Sequence, residues 1–535
     1  MTIRSVMMTC LALGLGLAWA CVDDKLLEKD AAGTSTDEDE EPGADVSVFA
    51  NGIALDWAFS LGGTEYDMIT SVTILAEGDA IVAGFFGSTV VFGEGSPTET
   101  ILVAQGTSDL FLARFTADGD LVWARQAGSA MDNQFEEIAT VASAGEGRVV
   151  LCATVGPEAV FGPGEENEFA FEDGGNKAVI ALYGIDGTLE WAREVAGGDD
   201  ALLAFGVRCA PLPGGGFAMV GSFGGTAVFG AGQATEVEIS AIGPEDGFLA
   251  WLDDDGGFIR ARTIGSEGCD GVGICSVGTD GTVVACGTIA GPVLFGAGEE
   301  YETEVLPVGL GDSFLAAFGS EGDLIWVNRM GGPGGPHDDI VAGTAGPDGS
   351  TIVVGRYTGL ATLDSLGVAA AAVDAGGGGW QLYLASYSAI GELEWVISLA
   401  ACYPDCMAAP MRVEEDGSIL LTGTFRQAMI LDPGGPFETT LENCESQIDH
   451  GQDFFIALLD REGTLAWARR EGGPHFDAGI SANLLGRDNL LMHGGFAHNP
   501  WGSNGKTVLG VGDPNETTLE SAGDFDAFLA RYSAR

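Results

Sequence analysis

Carboxylates are the most abundant groups in this sequence that could do chemistry, and six of them occupy one position of a repeated unit. The chain has 79 Asp and Glu against 22 Lys and Arg, a net charge of −57. The position lies seventeen residues before a recurring glycine, as Asp67 lies before Gly84 (84 − 67). The acids at or beside this position are Asp67, Glu136, Asp270, Asp338, Asp405 and Asp477, and the remaining copy has Ala204.

Two kinds of chemistry fit these recurring acids. A carboxylate at the start of a strand commonly accepts hydrogen bonds from its own turn. A ring of carboxylates at a channel mouth would instead bind Ca²⁺ or another hard cation through oxygen ligands. Because the acid recurs in nearly every copy, whereas a functional site is expected in the copy that differs, we favour the turn interpretation. No cofactor other than this Ca²⁺ is predicted.

Groups for nucleophilic or metal catalysis are sparse, so we predict that the protein is not an enzyme. The five histidines show no His-Glu-x-x-His spacing, and no Gly-x-Ser-x-Gly elbow occurs. His493 and His498 are the closest pair, and they give only a weak indication of a metal site. The alternative is a hydrolase or lyase with its site in units five to seven. Those units depart most from the repeat, at Gly376–Gly379, Trp380, Trp501 and Lys506.

Eight cysteines follow Cys10 and Cys21, an even number that permits disulfides in an exported chain. A hairpin turning at Asp280-Gly281 would place Cys275 opposite Cys286, which predicts a cross-strand bridge between them. Cys444 is expected to pair with Cys402 or Cys406. Cys152 and Cys209 occupy matching apolar strand positions and are predicted to be free core thiols.

The element that must position these groups is a unit of about seventy residues, repeated seven times. Tryptophan marks its period, and Arg260 stands at the one place where tryptophan is missing. The marks are Trp57, Trp123, Trp191, Arg260, Trp326, Trp395 and Trp467, spaced by 66, 68, 69, 66, 69 and 72 residues. Seven units of nearly constant length indicate a repeat architecture in which each unit packs on its neighbours.

Each unit contains four short apolar runs with β-branched and aromatic residues, which is typical of strands. Asp-Gly or Glu-Gly between paired runs predicts tight hairpins, since such turns need positive φ. Four antiparallel strands bury both faces only when neighbouring sheets cover them, so residues 52–535 are predicted to form an all-β, seven-bladed β-propeller. The last unit lacks a fourth strand, and residues 52–63 supply an unpaired one, which predicts that the N-terminal strand closes the ring. Trp57 of that strand is then expected to pack chiefly on the C-terminal unit, near Phe528 and Leu491.

The repeated motifs resemble those of the SBBP-type seven-bladed β-propeller repeats of exported bacterial proteins. The shared features are Gly-x-Phe in the second strand, Asp-x-Phe-Leu-Ala in the third, Asp-Gly-x-Leu-x-Trp in the fourth and Gly-Gly after it, as at Asp109–Ala113 and Gly62-Gly63. The resemblance covers residues 52–535. It implies an envelope or secreted protein and carries no assigned activity.

An insertion between the second and third strands makes these units longer than familiar propeller blades. It carries a second repeated motif, as in Val91-Phe-Gly-Glu-Gly and Val228-Phe-Gly-Ala-Gly. We name these insertions excursions and predict hairpins on one face of the propeller. A Gly-x-Gly loop could cradle a phosphate, but such loops open a helix and carry a lysine, so a simple turn is favoured.

The N-terminal segment predicts export. Arg4 and the apolar run Val6–Leu17 precede Ala18-Trp19-Ala20, so residues 1–20 match a signal peptide. Cys21 follows at once and resembles the lipid-bearing cysteine of bacterial lipoproteins, although an ordinary signal-peptidase site would also fit. Residues 21–51 are acidic and poor in apolar residues, as expected of a disordered tether. We therefore predict a lipoprotein of the outer membrane or cell surface, or else a periplasmic or secreted protein.

The composition of the chain also limits which partners and roles are possible. A surface of charge −57 would repel phosphate backbones, so nucleic acid is excluded as a partner. We predict a non-catalytic binding scaffold, monomeric and anchored to the membrane only by lipid, that holds an envelope protein or a glycan on the face with the excursions. The alternative from the same composition is a structural, acidic component of the surface coat.

Overall fold

The computed structural model describes residues 52–535 apart from 129–138, 146, 172–174, 199–201, 310, 334–338, 347, 377–378, 404–405, 409–410, 415, 444–450, 474–475, 486–487 and 498–504. The predicted signal peptide, Cys21 and the tether up to residue 51 lie outside this range. The described residues form β-strands and turns, and they include no helix. None of them therefore forms a helix of the length and apolarity needed to cross a bilayer.

Seven four-stranded antiparallel blades follow one another along the chain, after an initial strand β1 (Ile53–Leu61). Blade 1 contains β2 (Asp67–Ile74), β3 (Ala80–Phe92), β4 (Thr100–Phe115) and β5 (Leu121–Ala127). Blade 2 contains β6 (Ala139–Ser143), β7 (Arg148–Val155), the excursion strands β8 (Val160–Phe161) and β9 (Phe169–Ala170), β10 (Lys177–Gly184) and β11 (Leu189–Gly197). Blade 3 contains β12 (Leu202–Pro211), β13 (Phe217–Gly224), the excursion strands β14 (Thr226–Phe229) and β15 (Val237–Ser240), β16 (Asp246–Leu252) and β17 (Phe258–Ile264).

The next two blades repeat this order. Blade 4 contains β18 (Gly271–Val277), β19 (Val283–Ile289), the excursion strands β20 (Val293–Phe295) and β21 (Thr303–Val305), β22 (Asp312–Phe318) and β23 (Leu324–Gly331). Blade 5 contains β24 (Asp339–Ala345), β25 (Thr351–Tyr357), the excursion strands β26 (Leu360–Ser365) and β27 (Val368–Asp374), β28 (Gln381–Tyr387) and β29 (Leu393–Tyr403).

The last two blades complete the ring. Blade 6 contains a first strand in two pieces, β30 (Cys406–Ala408) and β31 (Arg412–Val413), then β32 (Ile419–Phe425), the excursion strands β33 (Ala428–Leu431) and β34 (Thr439–Glu442), β35 (Asp453–Leu459) and β36 (Leu465–Glu471). Blade 7 contains β37 (Asp477–Leu485), β38 (Asn489–Ala497), the excursion strands β39 (Lys506–Leu509) and β40 (Thr517–Glu520), and β41 (Phe525–Ala534). The predicted seven-bladed propeller is confirmed.

The N-terminal strand closes the ring, as predicted. β1 pairs antiparallel with β41, from Ile53 opposite Ala534 to Leu61 opposite Ala527. The sheet order is β1, β41, β38 and β37, so the first strand of the chain is the fourth strand of blade 7. The third strands β16, β22 and β35 are buried along their whole length, because neighbouring blades cover both faces. The edge of β41 therefore has a permanent partner.

The tryptophan of a blade's fourth strand packs on the turn of the next blade, between its third and fourth strands. Each turn contains a glycine with positive φ, and a β-carbon built there would meet the indole within 3.2 Å. The pairs are Trp57 with Gly119, Trp123 with Gly187, Trp191 with Gly256, Trp326 with Gly391, and Trp395 with Gly463. The repeated tryptophan and the repeated turn glycine are therefore two halves of one contact between blades.

Blade 3 keeps this contact although its fourth strand has Arg260 in place of tryptophan. Trp251 lies directly across the ladder from Arg260, on the third strand. Its indole is buried and lies against Gly322 of blade 4. A residue of the neighbouring strand thus fills the position that the sequence leaves empty.

Trp57 departs from the expectation that it packs chiefly on the C-terminal unit. Its strand pairs with β41, but the indole stacks on Phe59 at 5.4 Å between ring centroids and lies over Gly119 of blade 1. Phe59 in turn lies 5.4 Å from Phe115 of the same blade. The expectation was wrong because one face of an outer strand is directed at the next blade, and Trp57 lies on that face.

Excursion hairpins occur between the second and third strands, as predicted, but they do more than project from one face. In five of the described blades the base of the excursion hydrogen-bonds to the fourth-strand end of the preceding blade. The contacts are Val160 with Gly128, Phe229 with Ala196, Leu363 with Met330, Leu431 with Ala400, and Val508 with Gly472. The excursions therefore fasten neighbouring blades together at the periphery.

The cysteines correct two predictions. Cys152 of β7 and Cys209 of β12 form a disulfide, with 6.1 Å between their Cα atoms, so the prediction that both are free thiols was wrong. Matching positions on the facing sides of blades 2 and 3 are within bonding distance because adjacent sheets pack face to face. Cys402 is also disulfide-bonded, and Cys444 lies outside the described residues.

The predicted Cys275–Cys286 bridge assumed that these residues face each other across a hairpin. The register instead pairs Cys275 with Ala285 and Cys286 with Ile274. The turn contains three residues, 279–281, because Gly278 and Thr282 close the loop and Gly281 has a positive φ of 86°. Direct opposition is therefore wrong by one residue. The Cys275–Cys286 bridge itself stays a prediction.

Candidate functional site

The recurring acids of the first strands cap turns where blades meet. Asp67 accepts hydrogen bonds from Gly63 N at 2.6 Å and from Gly87 N at 3.1 Å. Asp477 accepts one from Gly473 N at 2.6 Å. All the described members, which include Asp270, are buried. Glu136, Asp338 and Asp405 lie outside the described residues.

Asp270 shows most fully how such a carboxylate is held. One oxygen accepts hydrogen bonds from Ser266 N at 2.5 Å and Ser266 Oγ at 2.6 Å, and the other accepts one from Ala290 N at 2.6 Å. These bonds join the loop before the first strand to the loop after the second. The turn interpretation accounts for the three described members of the ring. Calcium binding at the ring stays a prediction.

A second series of buried acids lies at the start of the third strands and was not among the predicted metal ligands. Its members were visible in the sequence as the first residue of the Asp-x-Phe-Leu-Ala motif. They are Asp109, Asp246, Asp312, Asp453 and Asp526. Four of them accept a hydrogen bond from the N–H four residues earlier, as Asp526 does from Ala522 at 2.8 Å. The Gly-Gly motif accompanies them, because a β-carbon at Gly62 would lie 2.4 Å from Asp526 Cγ.

The two series of acids meet at blade junctions. Asp67 of blade 1 lies near Asp526 of blade 7, and burial raises their pKa values to about 7 and about 6. For Asp67 the Gly63 N–H opposes this rise, and the Asp526 charge adds to it. Burial raises the pKa of Asp477 to about 8, and the nearby Asp453 charge adds to the rise. These junctions therefore hold protons at neutral pH more strongly than exposed carboxyls do.

A partner seventeen residues later often neutralises the third-strand acid. Arg329 binds Asp312 at 2.7 Å, and Arg470 binds Asp453 at 2.7 Å. In blade 2 the two charges are exchanged. Lys177 occupies the position of the third-strand acid, and Glu194, seventeen residues later, lies with Oε2 3.8 Å from Lys177 Nζ. The first-strand position of blade 3 that would meet Lys177 holds Ala204, so the junction between blades 2 and 3 lacks both acids.

The channel mouth, which we define as the end where the innermost first strands begin, differs from blade to blade. At blades 7 and 1, Tyr66 stacks on Phe525 at 4.6 Å and on Phe85 at 5.8 Å between ring centroids. At blade 3, burial raises the pKa of Glu245, which lies beside Ser222. The mouth is thus aromatic on one side and polar on the other.

At the channel mouth, blade 5 differs most from the other blades, as its departures from the repeat sequence indicated. Arg356 stands where other blades have Phe85, Ser222, Thr288 or Thr424. Its guanidinium lies 4.4 Å from the centroid of the Trp380 ring, and Nη2 donates to Asp339 Oδ2 at 2.6 Å. Both Arg356 and Trp380 are buried. This arrangement holds a cation inside a strongly acidic protein, where an ion pair and an aromatic face stabilise it.

The remaining predicted residues do not gather into a reactive site. His493 is buried between blades, and burial lowers its pKa to about 3, so it stays neutral. The other four histidines and Trp501 lie outside the described residues. Lys506 forms an ion pair with Glu520 across its hairpin. Within the described part of the chain, no group of three His, Cys, Asp or Glu side chains is placed to hold a metal ion.

The Gly-x-Gly loops of the excursions are turns that use their own hydrogen-bond donors. In six blades the second glycine donates its N–H to a glutamate four residues later. Gly95, for example, donates to Glu99 and Gly232 to Glu236, both at 2.6 Å. The same bond occurs at Gly164, Gly298, Gly434 and Gly512. The N–H that a phosphate would need is already bonded, which supports the turn interpretation.

Exposed apolar side chains are concentrated on the excursions. In the described part of the chain, 17 large apolar side chains are exposed. Eleven of them lie between a second and a third strand, and two more lie on the N-terminal extension of β4, which is the excursion of blade 1. Together these are Ile101, Val103, Val237, Ile242, Leu294, Tyr301, Leu306, Val308, Leu360, Leu366, Val368, Phe437 and Val511. Blades 4 and 5 contribute seven of them. This is a distribution expected of a contact surface rather than of scattered surface residues.

Comparison with known proteins gives only distant structural similarities. No protein-family model matches the chain, and no curated protein matches it. It is similar to puromycin hydrolase with 14% identity and a TM-score of 0.37, over 84% of this chain and 53% of that one, so it spans about half the length of that protein. It is similar to an ACO/RPE65 chimera with 11% identity and a TM-score of 0.37, over 90% of this chain and 98% of that one. Neither similarity carries an argument about activity.

Proposed function

We propose that this protein is an exported binding scaffold that holds a partner protein on its excursion hairpins. The observation that carries this proposal is the concentration of exposed aliphatic side chains on those hairpins. Such side chains gain free energy when a partner removes them from water. Because glutamates flank some of them, as at Val237 and Tyr301, and the whole chain has a charge of −57, a partner with basic residues around its apolar contacts fits best.

The blades supply rigidity for this role. Five excursions are fixed at the base to the preceding blade, and six excursion turns are held by an internal Gly–Glu hydrogen bond. A surface that is ordered before binding loses less conformational entropy when the partner docks. This preorganisation supports binding, whereas a disordered coat would not need it.

Capture of envelope proteins by the folded propeller, with chemical cross-linking, tests this proposal. Replacing Ile101, Val103, Leu306 and Val308 with threonine should reduce capture of a specific partner at least tenfold, while the β-branched side chains preserve the strands. The matched control replaces Val122 and Ile259, which are exposed on fourth strands, with threonine. Equal loss of capture in both variants would contradict a role for the excursions.

We also propose that the chain is a lipoprotein attached through Cys21 and related to the SBBP-type repeats. The Ala18-Trp19-Ala20-Cys21 sequence supports the attachment, and the two disulfide-bonded regions fit an oxidising compartment. Metabolic labelling with palmitate should mark the protein in membranes, and Cys21→Ser should remove both the label and the membrane association. Retention of the label in Cys21→Ser would contradict the attachment site.

A further inference from the structure

The outer strand of the blade 5 excursion differs from the other excursion strands. β27 is the last strand of a six-stranded sheet in the order β18, β19, β22, β23, β26 and β27. It is seven residues long, whereas β15, β34 and β40 have four residues each. A tight turn with positive φ at Leu366 and Gly367 joins it to β26. One edge of β27 is therefore paired, and the other is the end of the sheet.

The side chains of β27 lack the charges that normally protect a sheet edge. Val368, Ala369, Ala370 and Ala372 are exposed, and Val368 is 70% exposed. The first charged residue is Asp374, at the end of the strand. By contrast β15 has Glu238 in its interior, and β34 and β40 present threonines before their terminal glutamates. An apolar edge without internal charges favours pairing with another strand.

The backbone of β27 presents hydrogen-bonding groups at this edge. Ala375 donates its N–H to Gly359, so that pair is hydrogen-bonded across the hairpin. Because bonded and non-bonded pairs alternate in an antiparallel ladder, Asp374 and Ala372, which oppose Leu360 and Thr362, direct their N–H and C=O groups outward. A bulge after Ala369 limits the regular part of the edge to the segment from Ala371 to Asp374.

An acidic residue lies at one end of this edge. Asp374 is exposed at the C-terminal end of β27. The chain as a whole has a charge of −57. A second copy of the chain would bring another negatively charged surface against Asp374, whereas a segment with a basic residue beside Asp374 would complement it.

We propose that the free edge of β27 binds an extended segment of a partner protein by antiparallel β-strand addition, with small apolar side chains in its centre and Lys or Arg at the end beside Asp374. Main-chain hydrogen bonds would supply affinity, and the exposed alanines would admit side chains without clashes. The inference rests on the proposed function, because it assigns one binding mode to one excursion. It adds a specific position and the chemical class of the ligand.

Binding of a fluorescent peptide, KKVTVTVKK, to the folded protein tests this inference by fluorescence anisotropy. We expect saturable binding that weakens at least tenfold in Ala372→Pro, because proline removes an outward N–H without removing a ladder bond. Ala372→Ser, which keeps the N–H, is the matched control and should bind as the parent does. Equal binding by Ala372→Pro and the parent, or no binding by the parent, would overturn the proposal.

A charge-reversal variant and a measurement of particle mass distinguish a basic segment from an acidic segment or a second copy of the chain as the ligand of the β27 edge. Asp374→Lys should weaken binding of KKVTVTVKK several-fold and strengthen binding of EEVTVTVEE. Light scattering that shows a dimer of the parent, lost in Ala372→Pro, would mean that a second copy occupies the edge and would overturn the proposal. If the peptide fails while the Ile101 and Val103 replacements still abolish partner capture, the binding mode is wrong and the proposed function stands.

Discussion

Trp57 and Gly119 form a contact across the junction that closes the ring. A β-carbon at Gly119 would lie 3.2 Å from the Trp57 indole, and the glycine has a φ of 88°. Trp57 lies on β1 and Gly119 on the turn of blade 1, so the closing strand is held by blade 7 through its backbone and by blade 1 through this ring. Arg531, which is opposite Trp57, reinforces the contact by donating to Ala117 O at 2.9 Å.

Substitution of Gly119 tests this junction. Gly119→Ala should cost about 2 kcal/mol of unfolding free energy, because the new methyl group meets the indole in a backbone conformation that alanine disfavours. Gly281→Ala is the matched control, since its φ is 86° and its nearest neighbour would be Ser320 Cβ at 3.6 Å. It should cost about 1 kcal/mol. Chemical denaturation measures both, and equal costs would show that the indole contact contributes nothing.

Deletion of the closing strand should damage the propeller far more than deletion of the tether. Removing residues 22–50 should leave the melting temperature nearly unchanged. Removing 22–63 exposes the edge of β41 and should cause aggregation or loss of cooperative unfolding. Differential scanning calorimetry of the two proteins measures this, and identical melting temperatures would contradict closure by β1.

Stability should fall as the pH rises from about 4 to about 8. Burial raises the pKa values of Asp67, Asp526 and Asp477 to about 7, about 6 and about 8, well above the value of 3.8 for an exposed carboxyl. Raised values mean that the folded state binds protons more tightly than the unfolded state, so their contribution is full below pH 4 and is lost through pH 6–8. Asp67→Asn with Asp526→Asn should flatten the melting temperature over this range. An unchanged slope would show that this pair does not control it.

His493 predicts an opposite effect at lower pH. Burial lowers its pKa to about 3, so protonation below the ordinary value near 6.5 favours unfolding. The stability that neutral His493 contributes is present above pH 6.5 and is lost as the pH falls toward 3. His493→Gln should remove this loss, seen as a higher melting temperature at pH 4 relative to pH 7 than in the parent. An equal difference in melting temperature between pH 4 and pH 7 in both proteins would contradict the assignment of this effect to His493.

The Cys152–Cys209 disulfide should stabilise the contact between blades 2 and 3. Replacing both residues with alanine should lower the unfolding free energy by about 2–4 kcal/mol. Peptide mapping without reductant should recover the linked pair from the parent. Detection of both residues as free thiols would contradict the bond.

The repeat determined most of what could be predicted from sequence. Seven evenly spaced units, alternating strands and an unpaired strand at residues 52–63 specified the architecture, because a repeated pattern has only a few ways to bury its faces. Contacts between blades could not be derived in the same way. The Cys152–Cys209 bond and the Trp57–Gly119 contact join different units, and their geometry depends on how the sheets stack. The error at Cys275 came from one extra residue in a turn, which shifts the register by one position.

The site was less predictable than the fold. The ring of first-strand acids was visible by counting, but its partners at Asp526 and Asp453 appeared only when the blades were brought together. The glutamates that close the Gly-x-Gly turns could have been found from their constant spacing, as in Gly95 and Glu99. The exposure of Val368 and Ala372 could not have been predicted from the sequence. An apolar strand is normally expected in the core, and its exposure becomes evident only when the neighbouring strands are known.

The pairing of Ile53 with Ala534 spans almost the whole chain and has a consequence for synthesis. The strand that completes the last blade leaves the ribosome first, and its partner leaves it 481 residues later (534 − 53). At about 5–20 residues per second, this takes about 25–95 seconds. During that time six blades can form around an unfinished ring while β1 has no partner. Closure of the ring therefore has to wait until β41 is available to a strand made much earlier.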